Sequence, residues 1–283
     1  MITAKAKIRH ILNNSLHYLV LIFIALIVLI PFAWMVSTSL KGRGVLTEVP
    51  PRLLPEKFFW ANYPDTLIKH HFLRYSINSI YVALTASIGT LFTCSLAGFA
   101  FARLKFFGRD VLFSILLATM MVPLQVMIIP EFLIMLKLGW LDHPLYLALI
   151  IPSWLAGAFG TFMLRQFFKP IPKDLEDAAK IDGCSIFGIY FKIFLPLAKP
   201  ALATLFIFAF MTSYNNLLRP ILYISSMHRM TLTIGLANFT RQYEVNENLK
   251  MVGSVITLMP LVVLYSFAQK YFVKGITLSG LKA

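Results

Sequence analysis

Six long apolar segments restrict what this chain of 283 residues can fold into. Each is long enough to cross about 30 Å of hydrocarbon as a helix, which takes about 20 mostly apolar residues. We therefore predict six membrane-spanning helices. They lie near Leu16 to Leu40, Ser76 to Phe101, Val111 to Leu136, Leu145 to Phe167, Leu197 to Ile224 and Val252 to Phe272.

The composition supports a membrane protein. Apolar residues make up 58% of the chain and charged residues only 13%, which is too apolar for a soluble domain of this length. We expect an all-α integral membrane protein with one transmembrane domain over residues 1–283. The first apolar segment runs past the about 7 to 15 residues of a secretory h-region and lacks a small-residue cleavage site, so it is expected to remain as a span.

Basic residues predict the orientation in the membrane. Lys and Arg number 26 against 12 Asp and Glu, and they lie mainly between the apolar segments, which favours a role in membrane orientation over nucleic-acid binding. They cluster before the first segment, in the connections after the second and fourth, and after the sixth. By the positive-inside bias these connections and both termini are cytoplasmic. The first external loop also carries basic residues, but longer loops translocate with less regard to charge.

A polar loop follows the fourth segment, at about residues 170–196. Pro170-Ile171-Pro172 ends the preceding helix, and Lys173 to Ile181 is compatible with a short helix that Gly183 can end. Ala178 and Ala179 add little bulk, so another protein surface could approach the backbone closely. An ordinary interfacial connector is the alternative interpretation. Acidic residues favour the amino end of such a helix, and three occur there: Asp174, Glu176 and Asp177.

The same loop resembles a family signature. Its spacing is similar to the EAA loop of ABC importer permeases at Glu176, Ala178, Ala179, Gly183, Ile193, Leu195 and Pro196. Other matching motifs follow in order along nearly the whole chain, among them Asn62-Tyr63, Asn78-Ser79, Ala102-Arg103-Leu104, Leu164-Arg165-Gln166-Phe167-Phe168 and Thr231-Leu232. The chain is therefore similar to the carbohydrate branch of binding-protein-dependent permeases, the group that includes the second maltose permease subunit.

This resemblance implies a type I ABC importer permease fold with a cytoplasmic coupling helix, in the cell membrane. It implies a second permease subunit, two copies of a cytoplasmic ABC ATPase, and an extracytoplasmic solute-binding protein that delivers a sugar or oligosaccharide. The EAA helix would sit in a groove of the ATPase. The residues implied in this coupling are Glu176, Asp177, Ala178, Ala179, Lys180, Gly183, Leu195 and Pro196.

No cofactor, metal site or catalytic residue is expected in this chain. It has no Gly-rich phosphate loop with Lys and Ser or Thr, so ATP and Mg would be bound by the partner ATPase. The pair His70-His71 lacks a third ligand nearby. The chain should therefore not hydrolyse ATP alone.

The solute is harder to predict, because polar side chains that bind sugars also join membrane helices. Where the family usually has Trp before Asn-Asp, this chain has Tyr214-Asn215-Asn216, which removes a carboxylate from the region. Glu131 and Arg219 lie near the external ends of their segments and could pair. The candidates for the solute pathway are Asn78, Gln125, Tyr214, Asn215, Asn216 and Arg219.

Two alternatives stay open. The first is the same machinery carrying another solute, such as a glycerol phosphate ester. Importers of different solutes share the coupling motif, and the sequence does not identify the solute from its pocket. The second is a stand-alone secondary carrier or a membrane-embedded enzyme. Against the second, the apolar segments hold almost no carboxylates, no convincing internal repeat is found, and no convergent cluster of His, Asp and Glu or nucleophile motif occurs.

Overall fold

The structure is a computed structural model, and it describes residues 4–42, 53–242 and 246–279. These residues form helices and contain no strand, which confirms the all-α class. Four segments are long and apolar enough to cross a membrane on their own: Ser15–Ser39, Phe72–Arg103, Leu147–Phe168 and Glu247–Phe267. Two bent pairs of helices raise the number of candidate spans to as many as six when each pair is counted as one span.

Between Asn62 and Gln242 the helices follow one another along the chain with short connections. A π-helical turn occupies Tyr190–Phe194, and 3₁₀ turns occupy Thr119–Met121 and Met227–Arg229. The α-helices are α1 (Ala4–Ser39), α2 (Asn62–Lys69), α3 (Phe72–Arg103), α4 (Arg109–Ala118), α5 (Leu124–Lys137), α6 (Leu147–Trp154), α7 (Ala158–Phe168), α8 (Lys173–Ile181), α9 (Ile186–Ile189), α10 (Leu195–Leu197), α11 (Lys199–Tyr214), α12 (Leu218–Tyr223), α13 (Leu232–Gln242) and α14 (Glu247–Ser279).

Three of the predicted spans are bent or interrupted. The span predicted near Leu145 to Phe167 is interrupted between α6, which ends at Trp154, and α7, which begins at Ala158. The segments Arg109–Met121 and Leu124–Lys137 meet at 102° around Pro123, which has no backbone N–H to continue a helix. The segments Ile186–Leu197 and Lys199–Tyr214 meet at 79°. The apolar run from 197 to 224 therefore forms more than one helix, because α11 ends at Tyr214 and α12 begins only after residues 215–217.

The described residues divide into two compact units. The first combines residues from 1–71 with residues from 238–256, and polar contacts hold the end of α1 in it. Asn62 Nδ2 donates to the main-chain oxygens of Ser39 and Lys41 at 2.9 and 3.0 Å, and the Tyr63 hydroxyl lies 2.7 Å from Ser39 Oγ. Earlier in α1 the apolar side chains, such as Phe23, are exposed, as expected of a surface that faces lipid or another subunit.

The second unit combines residues from 72–237 with residues from 257–279 and is built around α3. Helices α6, α7 and α11 pack against α3, and small residues bring the helices close together. A Cβ on Gly98 of α3 would lie 3.0 Å from the main-chain nitrogen of Arg165, and one on Gly160 of α7 would lie 2.7 Å from Cys94 Sγ. This close packing fixes the positions of the helices that carry the candidate site.

Candidate functional site

Helix α8 is the helix of the polar loop, and its bounds, Lys173–Ile181, are those that the sequence predicts. Gly183 follows it with φ of +75°, a left-handed conformation that glycine adopts without steric cost at the end of a helix. Helix α9 begins shortly afterwards, where the Ser185 hydroxyl accepts a hydrogen bond from the Gly188 nitrogen at 3.1 Å. The loop is therefore a compact, ordered connection between spans.

One side of α8 is tied to the end of α3 by an ion pair. Glu176 Oε2 lies 3.0 Å from Arg103 Nε, and the two side chains are only 14% and 5% exposed. Arg103 Nη1 also donates to the main-chain oxygen of Ile171 at 3.0 Å, and its guanidinium lies over the ring of Phe194. Lys180 Nζ donates to Glu176 Oε1 at 2.9 Å. The Glu176 carboxylate thus faces other residues of this chain and not solvent.

These contacts keep the groups charged. Burial disfavours the ionised form of Glu176, but hydrogen bonds from Lys180 and Arg103, together with their charges, outweigh burial and hold the pKa of that carboxyl below its usual range. The hydrogen bond to Glu176 in turn raises the pKa of the Lys180 ammonium. Both groups are therefore ionised at neutral pH.

Ala179 lies on the same buried side of α8 and packs into an aromatic cluster of the second unit. The ring of Phe194, in the π-helical turn, stands 4.9 Å from the ring of Phe99 of α3 and 5.6 Å from the ring of Phe168 of α7. Phe168 and Phe194 are fully buried. Because interiors pack as densely as crystals, a displacement of α8 would be passed directly to α3 and α7.

The opposite side of α8 is bare. Ala178 is exposed, and Ile181 is 87% exposed. Leu175 is exposed as well, although it lies one helical turn before Ala179 on the same face. A Cβ added at Gly183 would meet nothing within 4 Å. Phe187 of α9 is exposed as well. An exposed apolar patch rimmed by polar groups is typical of a contact site for another protein.

The eight predicted coupling residues therefore divide between two sides. Glu176 and Ala179 face inward, and Leu195 is half-buried. Sequence reasoning missed Arg103 as the partner of Glu176, although Arg103 lies within one of the motifs that carry the resemblance. The remaining coupling residues are exposed: Asp177, Ala178, Lys180, Gly183 and Pro196.

A cavity of about 440 Å³ lies within the second unit, a size typical of small-molecule sites. Among its described lining residues Arg219 is the one with a formal charge, and Asn216 adds an amide. Phe159 and Phe208 supply aromatic surface. The wall also carries many hydroxyl groups, from Ser79, Thr90, Thr119, Ser153, Thr212, Ser213, Tyr214 and Thr231.

Three of the six predicted pathway residues line this cavity. The Tyr214 hydroxyl donates to the main-chain oxygen of Thr257 at 2.9 Å. Asn216 Oδ1 accepts from the main-chain nitrogen of Arg219 at 3.2 Å. Arg219 Nη2 lies 2.9 Å from Glu131 Oε2, which confirms the pairing suggested by the sequence.

The other three predicted pathway residues are not part of the cavity wall. Asn78 Nδ2 donates to the main-chain oxygens of His228 and Met230 at 3.1 and 2.9 Å, so it holds a loop. Gln125 and Asn215 are exposed. Sequence reasoning missed most of the hydroxyl groups, although α3 contains a helical pattern that marks this face: Ser79, Val82, Ala86, Thr90 and Cys94.

The described residues hold no group of three or more His, Cys, Asp and Glu side chains placed to bind a metal ion. Cys94 and Cys184 are free thiols. Cys94 Sγ lies 3.5 Å from the main-chain oxygen of Gly157, within the packed contact between α3 and α7.

Comparison with known proteins decides the family. Residues 89–278 match the family model described as binding-protein-dependent transport system inner membrane component. The chain belongs to this family. The arabinooligosaccharides transport system permease protein AraQ of Halalkalibacterium halodurans is 34% identical over 266 residues, which cover 92% of this chain and 93% of that relative. The lactose transport system permease protein LacG of Rhizobium radiobacter is 30% identical, over 95% of this chain and 96% of that relative.

A solved structure has the same fold as this permease. It is the crystal structure of a bacterial ABC transporter involved in the import of the acidic polysaccharide alginate. One of its chains matches with a TM-score of 0.78 and 26% identity, over 96% of this chain and 99% of that one. The permease is therefore a multi-pass membrane subunit of an ABC importer and not an enzyme, because its relatives are permease subunits.

Proposed function

We propose that this permease and a second, different permease subunit form the membrane path for a sugar or oligosaccharide. An extracytoplasmic solute-binding protein delivers the solute, and two copies of a cytoplasmic ABC ATPase bind ATP and Mg and supply the energy. Support comes from relatives named for arabinooligosaccharide and lactose transport, which match over more than nine-tenths of this chain.

The observation that carries the proposal furthest is the division of α8 into a bare outer side and an anchored inner side. The outer side, with Ala178 and Gly183, docks in a groove of the ATPase, and Asp177 and Lys180 form the polar rim of that contact. Small residues suit this role because they allow the two backbones to approach closely. The Glu176 carboxylate does not dock; it holds α8 on the permease.

Closure of the ATPase dimer on ATP then displaces α8 as a unit. The buried contacts of Ala179 and Glu176 pass the displacement to α3 and α7. Leu195 and Pro196 lie in α10, just before the 79° bend that leads into α11, so the same movement reaches a helix that lines the cavity. Access to the cavity changes between the cytoplasmic and the external side.

The solute pathway includes the cavity wall formed by Tyr214, Asn216 and Arg219. Asn78 acts indirectly, by holding the loop that contains His228 and Met230. Gln125 and Asn215 act at the margin of the path, in contact with the second permease or the moving solute. Hydroxyl and amide groups suit a saccharide, because each sugar hydroxyl both donates and accepts hydrogen bonds.

The orientation follows from charge. The basic connections after the second and fourth apolar segments, the loop with α8 and both termini lie in the cytoplasm of a cell-membrane protein. Only this orientation places α8 on the side where a cytoplasmic ATPase can reach it.

A pull-down of the tagged permease from its native membrane in mild detergent tests the proposal. We expect a P-loop ATPase and a second permease among the co-purifying proteins identified by mass spectrometry. Glu176→Gln should retain these partners less well than Asp142→Asn, a substitution in a loop outside α8. Recovery of the chain alone, still transporting in liposomes, would contradict the importer proposal and favour a stand-alone carrier.

A further inference from the structure

One ion pair borders the cavity. Arg219 Nη2 and Nε both donate to Glu131 Oε2, at 2.9 and 3.3 Å. The Arg219 side chain is 25% exposed and the Glu131 side chain 15% exposed. Arg219 is part of the cavity wall, whereas Glu131 is not among its lining residues. Arg219 is therefore the member of the pair that the cavity presents to a solute.

The pairing with Glu131 does not use all the donors of Arg219. Within the described part of the chain, Arg219 uses Nε and Nη2 toward Glu131, and no hydrogen bond involves Nη1. Since a guanidinium carries five N–H donors in one plane, Nη1 keeps two for a ligand. Hydroxyl groups of Thr212 and Ser213 line the same cavity. A planar donor pair and hydroxyl groups in one cavity suit the hydroxyls of a sugar ring.

The charge of the pair restricts which sugars fit. Glu131 already neutralises the cation of the wall at a distance of 2.9 Å. A uronate carboxylate would compete with Glu131 for the same guanidinium and leave one carboxylate unpaired in a largely buried place, which is strongly unfavourable. A neutral hydroxyl can accept from Nη1 without displacing Glu131.

We infer that the Arg219–Glu131 pair selects neutral saccharides and discriminates against saccharides that carry uronate groups. Arg219 contacts the sugar. Glu131 is a positioning residue that acts through Arg219 by cancelling its charge and fixing its plane. This inference rests on the proposed function and narrows its substrate class, since similar proteins include both a lactose permease and a component of an alginate importer.

The test measures protection of a thiol in the cavity. The complete complex is assembled in nanodiscs with Met120→Cys, an exposed position of the cavity wall, in a background of Cys94→Ala and Cys184→Ser, and its modification by a water-soluble thiol reagent is timed. The probes are galactotriose, maltotriose and mannotriose, each compared with its counterpart oxidised to the uronate at C6. We expect a neutral trisaccharide to protect at concentrations about tenfold lower than its uronate counterpart, the size of one charge-assisted hydrogen bond.

The Glu131→Gln substitution tests whether Glu131 acts through its charge, because a purely structural role would not change the relative protection by uronate and neutral sugars. The substitution leaves Arg219 as an unpaired cation in the wall, so the ratio of uronate to neutral protection should rise about tenfold or more. Asp142→Asn is the matched control, because Asp142 pairs with Arg229 and neither residue lines the cavity. That control should leave the ratio unchanged.

Three results would overturn the inference. The first is stronger protection by the uronates in the parent protein, a comparison that needs no change at Glu131 and leaves the importer proposal intact. The second is an unchanged ratio in assembled Glu131→Gln. The third is no protection by any of the six probes, in which case the pull-down decides separately whether the importer proposal survives.

Discussion

At the scale of residues, Gly183 joins a backbone requirement to a contact surface. Its φ of +75° disfavours most side chains, but Asp tolerates left-handed conformations better than most residues. Because a Cβ at Gly183 meets nothing within this chain, Gly183→Asp should fold and place bulk and charge on the proposed docking side. We expect ATPase activity coupled to transport, and uptake, to fall about tenfold or more, which corresponds to about 1.4 kcal/mol of lost contact.

Gly139→Asp provides the control for that experiment. Gly139 has φ of +68° and equally open surroundings, but it lies between α5 and α6. It should therefore bear a similar backbone cost without loss of coupling. Equal losses in both variants would assign the effect to strain, and intact coupling in Gly183→Asp would remove Gly183 from the contact.

The Glu176 carboxyl gives a second prediction at this scale. Its pKa is lowered in the folded state, so its stabilising contribution is fully present above the unfolded pKa, about 4.3, and is lost as the pH falls through the folded value. Protection of the α8 amides, corrected for the pH dependence of intrinsic exchange, should be constant above the unfolded pKa of the carboxyl and should fall progressively below it. In Glu176→Gln, Arg103 is left without a buried counter-charge, and docking of α8 should weaken by about 3 kcal/mol at neutral pH. Equal exchange in both proteins would contradict this role.

At the scale of elements, the aromatic cluster under α8 is expected to transmit its movement. Phe194→Ala removes a fully buried ring between α3 and α7, and it should cost about 3 kcal/mol or more and reduce coupled ATPase activity. Thermal unfolding of the assembled complex and a coupled ATPase assay measure the two effects. Phe92→Ala on α3 is the control, since Phe92 is exposed, and it should change neither. A destabilised but fully coupled Phe194→Ala complex would show that the ring only supports the fold.

Local signals explain which elements the sequence predicts well. Helix α8 has an unambiguous start after Pro172 and an end before Gly183, so its bounds follow from the residues that flank it in the sequence. The break at Pro123 is signalled by the missing donor, but its angle of 102° depends on the surrounding helices and is not encoded locally. The end of α11 at Tyr214 has no proline or glycine to mark it, so the sequence predicts one continuous span over this apolar run.

The same distinction applies to the site. Opposite charges at similar depths made the pairing of Glu131 with Arg219 predictable. Asn78 could not be assigned correctly, because its hydrogen bonds to His228 and Met230 join residues about 150 positions apart. Whether an amide in a membrane helix faces a cavity or satisfies a distant carbonyl is decided by tertiary packing.

At the scale of the whole molecule, exposed apolar surface is the main property that the sequence predicts. The apolar stretch of α1 within Ser15–Ser39 has no buried residue in its most apolar window, which suits lipid or a second subunit and would be unfavourable in water. The length and composition of an apolar run are enough to predict that it lies in lipid or against another subunit. Which side of the membrane each loop occupies depends instead on the basic residues.

That orientation can be measured directly with single cysteines. In a background of Cys94→Ala and Cys184→Ser, Phe107→Cys lies in the connection between α3 and α4, and Met227→Cys lies in the loop after α12; both parent side chains are exposed. Since Arg103, Lys105 and Arg109 surround position 107, a membrane-impermeant maleimide added to whole cells should label position 227 and should reach position 107 only after permeabilisation. The reverse pattern would place α8 outside the cell, beyond the reach of a cytoplasmic ATPase. It would therefore contradict the coupling role of α8 together with the topology.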